Sequence, residues 1–567
     1  MRLSEFEIHA ETGVLVPPGS QQGKPAFGYS DGVDEETRVL NAVTAAPDVR
    51  DNTSALLAYV TDWPSYYHLA PGRSNAIRAL GLPRDIRVLE LGAGCGALAR
   101  HLGENHTEVH SVEGSARRAA TCRARCRDLS NVAVFQADFS EIECGPDYDV
   151  VVLNGVLEYA PSFFKSGDRS NPVGALLALA KSALRPGGIV LIAIENKLGL
   201  KYWCGAPEDH TATVYEGIHG YPATTKVTTF SRREVQEVVR AAGFPDVSVF
   251  HCFPDYKFAS TVLSDALPPS TYLHNWLDFP AECPGLSREY AVHEGLAAKS
   301  VYDAGLLGDF ANSFVVVAGT EGAATKFETV FRPAWIARRL SVRGRDASHH
   351  RVTTLAPRQG RLEVTKAAVD YGRGGELAAP VVEPWTPGDL LLIEMSRAML
   401  GANPDEAVHA LLAEFHQDLL SRFATETRDA GGYPLLRGRC IDFLLRNIIR
   451  GPEGLVAIDL EWEAPAPVAV DFMLFRSLWN DAIAPNHAWA SRRIADFDLY
   501  IVRAIQRFYP AYGFSRHAQN KAQEESFLAR VGLDPTAPRR GEAAFVMAGK
   551  AWGRTLTRRI RDKAGLS

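Results

Sequence analysis

Val88-Leu-Glu-Leu-Gly-Ala-Gly-Cys-Gly-Ala97 decides how the rest of the chain is read. Four residues suited to a buried strand, Val88 to Leu91, run into glycines at 92, 94 and 96, and a helical run, Ala97-Leu-Ala-Arg-His-Leu102, follows. A strand that ends in a glycine turn and opens a helix presents unpaired helix-terminal N–H groups, and glycine lets the backbone approach a ligand closely. The spacing is G-x-G-x-G, not the G-x-G-x-x-G of dinucleotide enzymes. Glu113 closes the next apolar segment, Glu108-Val-His-Ser-Val-Glu113, about twenty residues on, where such a sheet places the acid that holds a ribose hydroxyl pair. The glycines alone fit other α/β proteins equally well.

Moving outward, strand and helix patterns alternate. Strands are expected at Ile86–Leu91, Val109–Glu113, Val132–Gln136, Asp149–Asn154 and Ile189–Glu195, with helices between them. Short apolar runs joined by helical crossovers predict a doubly wound parallel α/β sheet, with a ligand at the carboxyl ends of the strands. Two later runs, Val247–Phe250 and Asn312–Ala318, are candidates for a closing antiparallel pair. Thr228-Thr-Phe-Ser231 with Glu234 reads as the capping box of a helix from Arg232 to Ala242.

The ordered strand ends resemble the class I S-adenosylmethionine-dependent methyltransferases over about residues 30 to 320. The resemblance rests on the glycine turn, on Glu113, on Ala137-Asp138-Phe139, on Asn154-Gly155 and on Leu184-Arg-Pro-Gly-Gly188. It implies a Rossmann-like methyltransferase sheet and S-adenosylmethionine as cofactor. Glu90, Gly92, Gly94, Gly96 and Glu113 would line the turn, Asp138 and Phe139 would hold the adenine, and Asn154 would end the fourth strand facing it. The family often has a histidine where this chain has Tyr159. Within the family, the Trp63–Asn75 segment and the loop Glu195-Asn-Lys-Leu-Gly-Leu-Lys201-Tyr202-Trp-Cys-Gly-Ala-Pro-Glu208-Asp209-His210 look like a branch linked to bacterial glycan assembly. A sugar, glycan or glycosylated metabolite is therefore the expected small-molecule acceptor, methylated on oxygen.

A sulfonium donor needs an acceptor held in line and, for a hydroxyl, a base. His210 is the first candidate base and His68 the second, with Glu158 and Tyr202 as positioning groups; capping of a turn through Asp209 is an equal reading of His210. No catechol-type metal cluster is evident, so metal-independent chemistry is expected. Tyr67, His68 and Arg73 either face the cofactor or fasten the leader to the domain.

Beyond residue 320 the pattern changes. Strands are expected at 351–356 and 361–367, and later Asp442-Phe-Leu-Leu-Arg-Asn447 is followed by Asp459. This spacing is similar to the active-site hairpin of protein kinases and aminoglycoside phosphotransferases. It implies ATP and Mg2+, with Asp442 orienting an acceptor hydroxyl, Asn447 and Asp459 as metal ligands, and Lys366 on the nucleotide phosphates. The arrangement also resembles bifunctional methyltransferase–kinases that terminate O-antigen chains. No glycine-rich loop precedes Lys366, and Asp-Leu-Glu stands where Asp-Phe-Gly is usual, so a degenerate interaction module is the competing reading.

The expected domains are a leader and helical cover at 1–80, a methyltransferase domain at 81–320 with a helical cap insertion at 253–309, and an α+β kinase-like domain at 321–567. The 567 residues carry a formal charge of −6 with 46% hydrophobic and 23% charged residues, as a globular protein does, and no basic tract points to nucleic acid. No apolar run approaches the roughly 20 residues of a membrane span. The N-terminus lacks a signal-peptide pattern, and the eight cysteines show no C-x-x-C pair, so Cys122 and Cys126 read as buried thiols. A cytoplasmic protein, either monomeric or homo-oligomeric, is expected. A cofactor-binding scaffold is the non-catalytic alternative. A basic helix is expected at 542–559.

Overall fold

Strands buried on both faces form where the apolar runs predict them, and they assemble the sheet that carries the site. The structure, a computed structural model, describes residues 1–530 except 20–31, 165–170, 225, 269–270, 282, 284–287, 289, 344, 346, 372–378 and 452–453. The expected helix at 542–559 lies outside the described residues. The chain divides into two units, the first chiefly residues 1–267 and 305–384, the second 268–285, 289–304 and 385 onward.

The strands of the first unit are β1 (Glu7–Ile8), β2 (Leu15–Val16), β3 (Arg87–Leu91), β4 (Glu108–Glu113), β5 (Val132–Gln136), β6 (Tyr148–Asn154) and β7 (Leu184–Glu195), then β8 (Asp246–Phe253), β9 (Thr261–Leu263), β10 (Ser313–Gly319), β11 (Ala337–Ser341), β12 (Arg351–Arg358), β13 (Arg361–Ala368) and β14 (Val381–Pro384). They form one sheet in the order β1-β2-β5-β4-β3-β6-β7-β10-β8-β9-β11-β12-β13-β14. Strands β5, β4, β3, β6 and β7 are parallel. β10 lies antiparallel between β7 and β8, facing Ser313 to Glu195 and to Cys252. The chain runs outward from β3 to β5 and then returns to β6 on the other side of β3. The carboxyl ends of β3 and β6 are therefore the switch point, where open sheets of this kind leave a crevice.

The sheet does not stop at the expected boundary of 320. β9 offers a free edge, β11 pairs with it, and β12 to β14 continue as a meander. Trp335, Leu340 and Val342 join the core that holds Val88, Val150 and Leu191. The strands expected to open a second domain are thus part of the first unit. The 253–309 insertion is also divided: Tyr256–Phe258 and β9 belong to the first unit, whereas 268–285 and 289–304 belong to the second.

The second unit is mainly helical, with helices at Leu391–Leu400, Pro404–Phe423, Val470–Ser477, Phe497–Gln506 and Phe514–Arg530 around Phe415, Phe443, Phe472 and Phe475. A two-stranded hairpin, Ile448–Gly451 with Gly454–Ala457, follows Asn447. No helix among the described residues is long and apolar enough to cross a membrane.

Candidate active site

The glycine turn is shaped by packing on two sides and is open on the third. All three glycines have positive φ, the region where only glycine is unstrained. A Cβ on Gly92 would lie 2.5 Å from Val156 Cγ2, and one on Gly96 would lie 2.8 Å from Cys122 Cα; one on Gly94 would meet nothing within 4 Å. Gly94 N–H donates to Glu113 Oε2 at 2.8 Å, and Ser115 N–H donates to Glu113 Oε1 at 2.9 Å. Each oxygen keeps a lone pair for a further donor. Burial pushes the Glu113 carboxyl above the ordinary range. Glu90 is buried behind the turn, accepts from Ser111 Oγ at 2.7 Å, and is pushed up to about 7 by burial. Asp138 is half-buried, and its Oδ1 accepts from Ser140 N–H at 2.8 Å. Phe139 is buried edge-on to Phe163, and Asn154 ends β6 half-buried.

From β6 the chain passes through Gly155 and Val156 to Glu158, which is fully buried. A Cβ on Gly155 would lie 3.5 Å from Glu158 Oε1 and 2.4 Å from the Tyr256 hydroxyl oxygen, so the loops after β6 and β8 meet at this point. Glu195 ends β7 and is also fully buried. His210 comes back towards both: its Nε2 lies 3.7 Å from Glu158 Oε1 and 3.7 Å from Glu195 Oε2. Its Nδ1 is 2.7 Å from Glu208 Oε1. Glu208 is fixed in turn by the N–H groups of His210 and Thr211, each at 2.8 Å, and by the Tyr221 hydroxyl at 3.1 Å. Burial opposes charge on His210, but Glu195, Glu158 and Glu208 outweigh it and hold the imidazolium well above the usual histidine range. Burial also pushes Glu158 up.

Two lysines close the outer side. Lys201 Nζ lies 2.7 Å from Asp209 and 2.9 Å from Asp255; Lys257 Nζ pairs with Glu195 Oε1 and lies 3.3 Å from Asp255. Asp209 resists ionisation by its burial, yet Lys201 and Lys257 hold its pKa far below the usual carboxylate range. Tyr202 is buried and donates its hydroxyl to Asp209, so Asp209 serves the lysines and Tyr202 rather than His210. The turn-capping reading of His210 through Asp209 therefore gives way to Glu208.

The leader reaches this site indirectly. Arg73 stacks 3.8 Å over Tyr67 and donates to the Lys257 carbonyl at 2.8 Å, and Asn75 donates to the Ala259 carbonyl at 2.8 Å. His68 is buried edge-on to Tyr67, and its carbonyl accepts from Arg125 at 2.5 Å. Sequence reasoning missed Glu195, Asp255 and Lys257 as site residues. The available signal was position: all three follow directly on, or close, a strand of the sheet.

Of the residues assigned to the kinase-like site, Lys366 lies on β13 in the first unit, 2.9 Å from Glu383 of β14, so its carboxylate partner comes from the neighbouring strand. Asp442, Asn447 and Asp459 lie in the second unit and share one bonded loop. Asp442 Oδ2 accepts from the N–H groups of Glu461 and Trp462 at 2.9 and 2.7 Å; Asn447 Nδ2 donates to the Asp442 carbonyl at 3.0 Å; Ile458 N–H donates to the Asn447 carbonyl at 2.8 Å. Burial pushes Asp442 up to about 6. Asp459 takes a left-handed φ of 58°.

Solved structures similar to the chain are methyltransferases. That of the methyltransferase bound to the Haloferax volcanii Trm112 activator is 17% identical, covers 44% of this chain and 90% of its own, and has a TM-score of 0.27. An S-adenosylmethionine-dependent methyltransferase from Mesorhizobium loti is 17% identical over 44% of this chain and 97% of its own, TM-score 0.26. The Haemonchus contortus phosphoethanolamine N-methyltransferase 2, solved with S-adenosylhomocysteine, is 15% identical over 44% and 52%, TM-score 0.26. No curated protein matches the chain. Residues 68–249 match the family model described as a methyltransferase domain, and the chain carries such a domain there.

Proposed function

We propose that the first unit is an S-adenosylmethionine-dependent O-methyltransferase acting on a sugar, glycan or glycosylated metabolite. The observation that carries the methyl-transfer reading is the pairing of an open glycine turn with a buried Glu158–Glu195–His210 set one loop away. The turn fits the cofactor: Gly94 leaves room above the backbone, and Glu113 keeps acceptor capacity for a hydroxyl pair. When bound, the cofactor supplies a methyl group already activated by its sulfonium. The chain then has to hold an acceptor oxygen in line and remove its proton.

Glu158 and Glu195 are the groups available for that proton, and His210, held as an imidazolium, is the charge that faces them. Glu208 orients the His210 ring, while Lys201 and Lys257 keep Asp209, Asp255 and Glu195 in place. The sugar class is supported by the resemblance of the 195–210 loop to the glycan-associated branch. Two measurements test the reading. Titration calorimetry should show S-adenosylmethionine binding to the full chain. Mass spectrometry of candidate sugars incubated with labelled cofactor should show methylated product; cofactor binding without transfer to any hydroxyl acceptor would leave the scaffold alternative.

A second reading, phosphoryl transfer by the second unit, is favoured by the bonded loop that gathers Asp442, Asn447 and Asp459. There Asp442 would orient a hydroxyl, and Asn447 and Asp459 would hold Mg2+ beside ATP. ATP·Mg2+ binding that is lost in Asp459→Asn supports it; no nucleotide binding by the intact chain ends it.

A further inference from the structure

Two triplets of side chains in the first unit bring three ligand atoms within 4.8 Å of one another: Glu195 with Asp209 and Asp255, and Glu158 with Glu195 and His210. The first triplet is already served by cations of the chain, Lys201 and Lys257. The second is not. Neither oxygen of Glu158 has a hydrogen-bond partner, nor does Glu195 Oε2, and both residues are fully buried. An orphaned buried carboxylate is costly, so its retention asks for an explanation.

The distances supply one. His210 Nε2 stands 3.7 Å from Glu158 Oε1 and 3.7 Å from Glu195 Oε2. That is beyond the N···O hydrogen-bond range of about 2.7–3.2 Å. It is close to the ligand–ligand spacing of a small cation, since ligands about 2.1 Å from a tetrahedral ion lie roughly 3.4 Å apart. The far side of the imidazole is fixed as well. Glu208 Oε1 lies 2.7 Å from His210 Nδ1, and Glu208 is itself held by two backbone N–H groups. A carboxylate on the remote nitrogen is the usual support of a histidine ligand, because it aims the other nitrogen.

We infer that Glu158, Glu195 and His210 form a binding site for one divalent cation of the Mn2+, Co2+ and Zn2+ kind. One imidazole, whose Nε2 proton the ion displaces into solvent, and two carboxylates suit these ions. This departs from the metal-independent chemistry expected from the sequence, where the three residues stand 37 and 15 positions apart and show no ligand spacing. The ion's purpose, though not its binding, rests on the methyl-transfer reading: a coordinated acceptor hydroxyl loses its proton more readily.

The test uses the full chain, stripped with a chelator and titrated separately with Mn2+, Co2+ and Zn2+. One ion per chain is expected, with affinity at least tenfold weaker in Glu158→Gln and in His210→Ala. X-ray absorption at the zinc edge of the wild-type chain covers the case in which a variant fails to fold: it should show an oxygen and nitrogen shell including one imidazole. A sulfur shell, no stoichiometric binding up to about 1 mM ion, or unchanged affinity in both folded variants overturns the inference. So does binding of an organic ammonium such as choline that the ions do not displace and that Glu158→Gln abolishes, which would mark a cationic acceptor. S-adenosylmethionine titration of the same samples separates the two claims. Ion binding without cofactor binding removes the methyl-transfer purpose and leaves the site; cofactor binding without ion binding removes the site.

Discussion

Adjacent glycines in one turn do different work. Gly94 faces open space, whereas Gly96 abuts the Cys122 backbone. Gly94→Arg should therefore abolish S-adenosylmethionine binding in calorimetry while the melting temperature drops little, since the cost is a strained φ of about 1–2 kcal/mol. Gly96→Ala should instead destabilise the first unit by about 1–3 kcal/mol in denaturant unfolding, because its Cβ forces a backbone shift. Equal loss of stability in the two variants would contradict this division. Behind the turn, Glu90 makes a pH prediction. Its folded-state pKa of about 7 lies above the unfolded value, so the native state binds the proton more tightly. The ionised form is the disfavoured one, and stability falls as pH rises from about 4.5 to 7, by at most about 1.4 kcal/mol per pH unit. Glu90→Gln should remove that slope, read as the difference between the two proteins in denaturant titrations at several pH values; identical slopes would refute it.

At the scale of elements, the leader and the loop after β8 act together. Arg73 and Asn75 hold the carbonyls of Lys257 and Ala259, and Lys257 carries the ammonium that meets Glu195. Arg73→Ala should raise amide exchange across residues 254–260 by tenfold or more without affecting β3 to β7; unchanged exchange would show that the loop is held by other means. This pairing also shows what a sequence discloses. The strands β3 to β7 are readable because most are apolar runs between helices and β4, though mixed, sits at the expected spacing, and the glycine turn because its chemistry is local. The helix at Arg232–Ala241 was readable from Ser231 and Glu234, whose capping box forms as expected. The Glu158–Glu195–His210 set was only half readable. Glu158 and His210 stood out as polar residues on loops, but Glu195 looked like the last residue of an ordinary strand, and nothing local says that Lys257 will turn back onto it. Residues gathered at the carboxyl ends of β6, β7 and β8 carry no common spacing.

For the whole molecule, the sheet's reach past residue 320 matters most. A change from parallel to meander pattern looked like a new domain, because edge-to-edge pairing such as β9 with β11 leaves no mark in either strand. A fragment ending at residue 320 would lack β11 to β14 and the Trp335, Leu340 and Val342 side chains of the shared core. It should unfold without a cooperative transition by far-UV circular dichroism, whereas the full chain should show a steep one; a sharp melt from the fragment would restore the boundary at 320.

The assignment of 268–285 and 289–304 to the second unit has a consequence in time. This segment leaves the ribosome well before residues 385 onward, with which it packs. At about 5–20 residues per second the helices of that unit are on the order of 10 s away. Trp276, buried in the finished protein and packed edge-on against Trp385, waits without that partner during that interval. Synonymous codons that slow translation between 305 and 384 lengthen the wait, so the yield of folded protein depends on how quickly that stretch is read as well as on what it encodes.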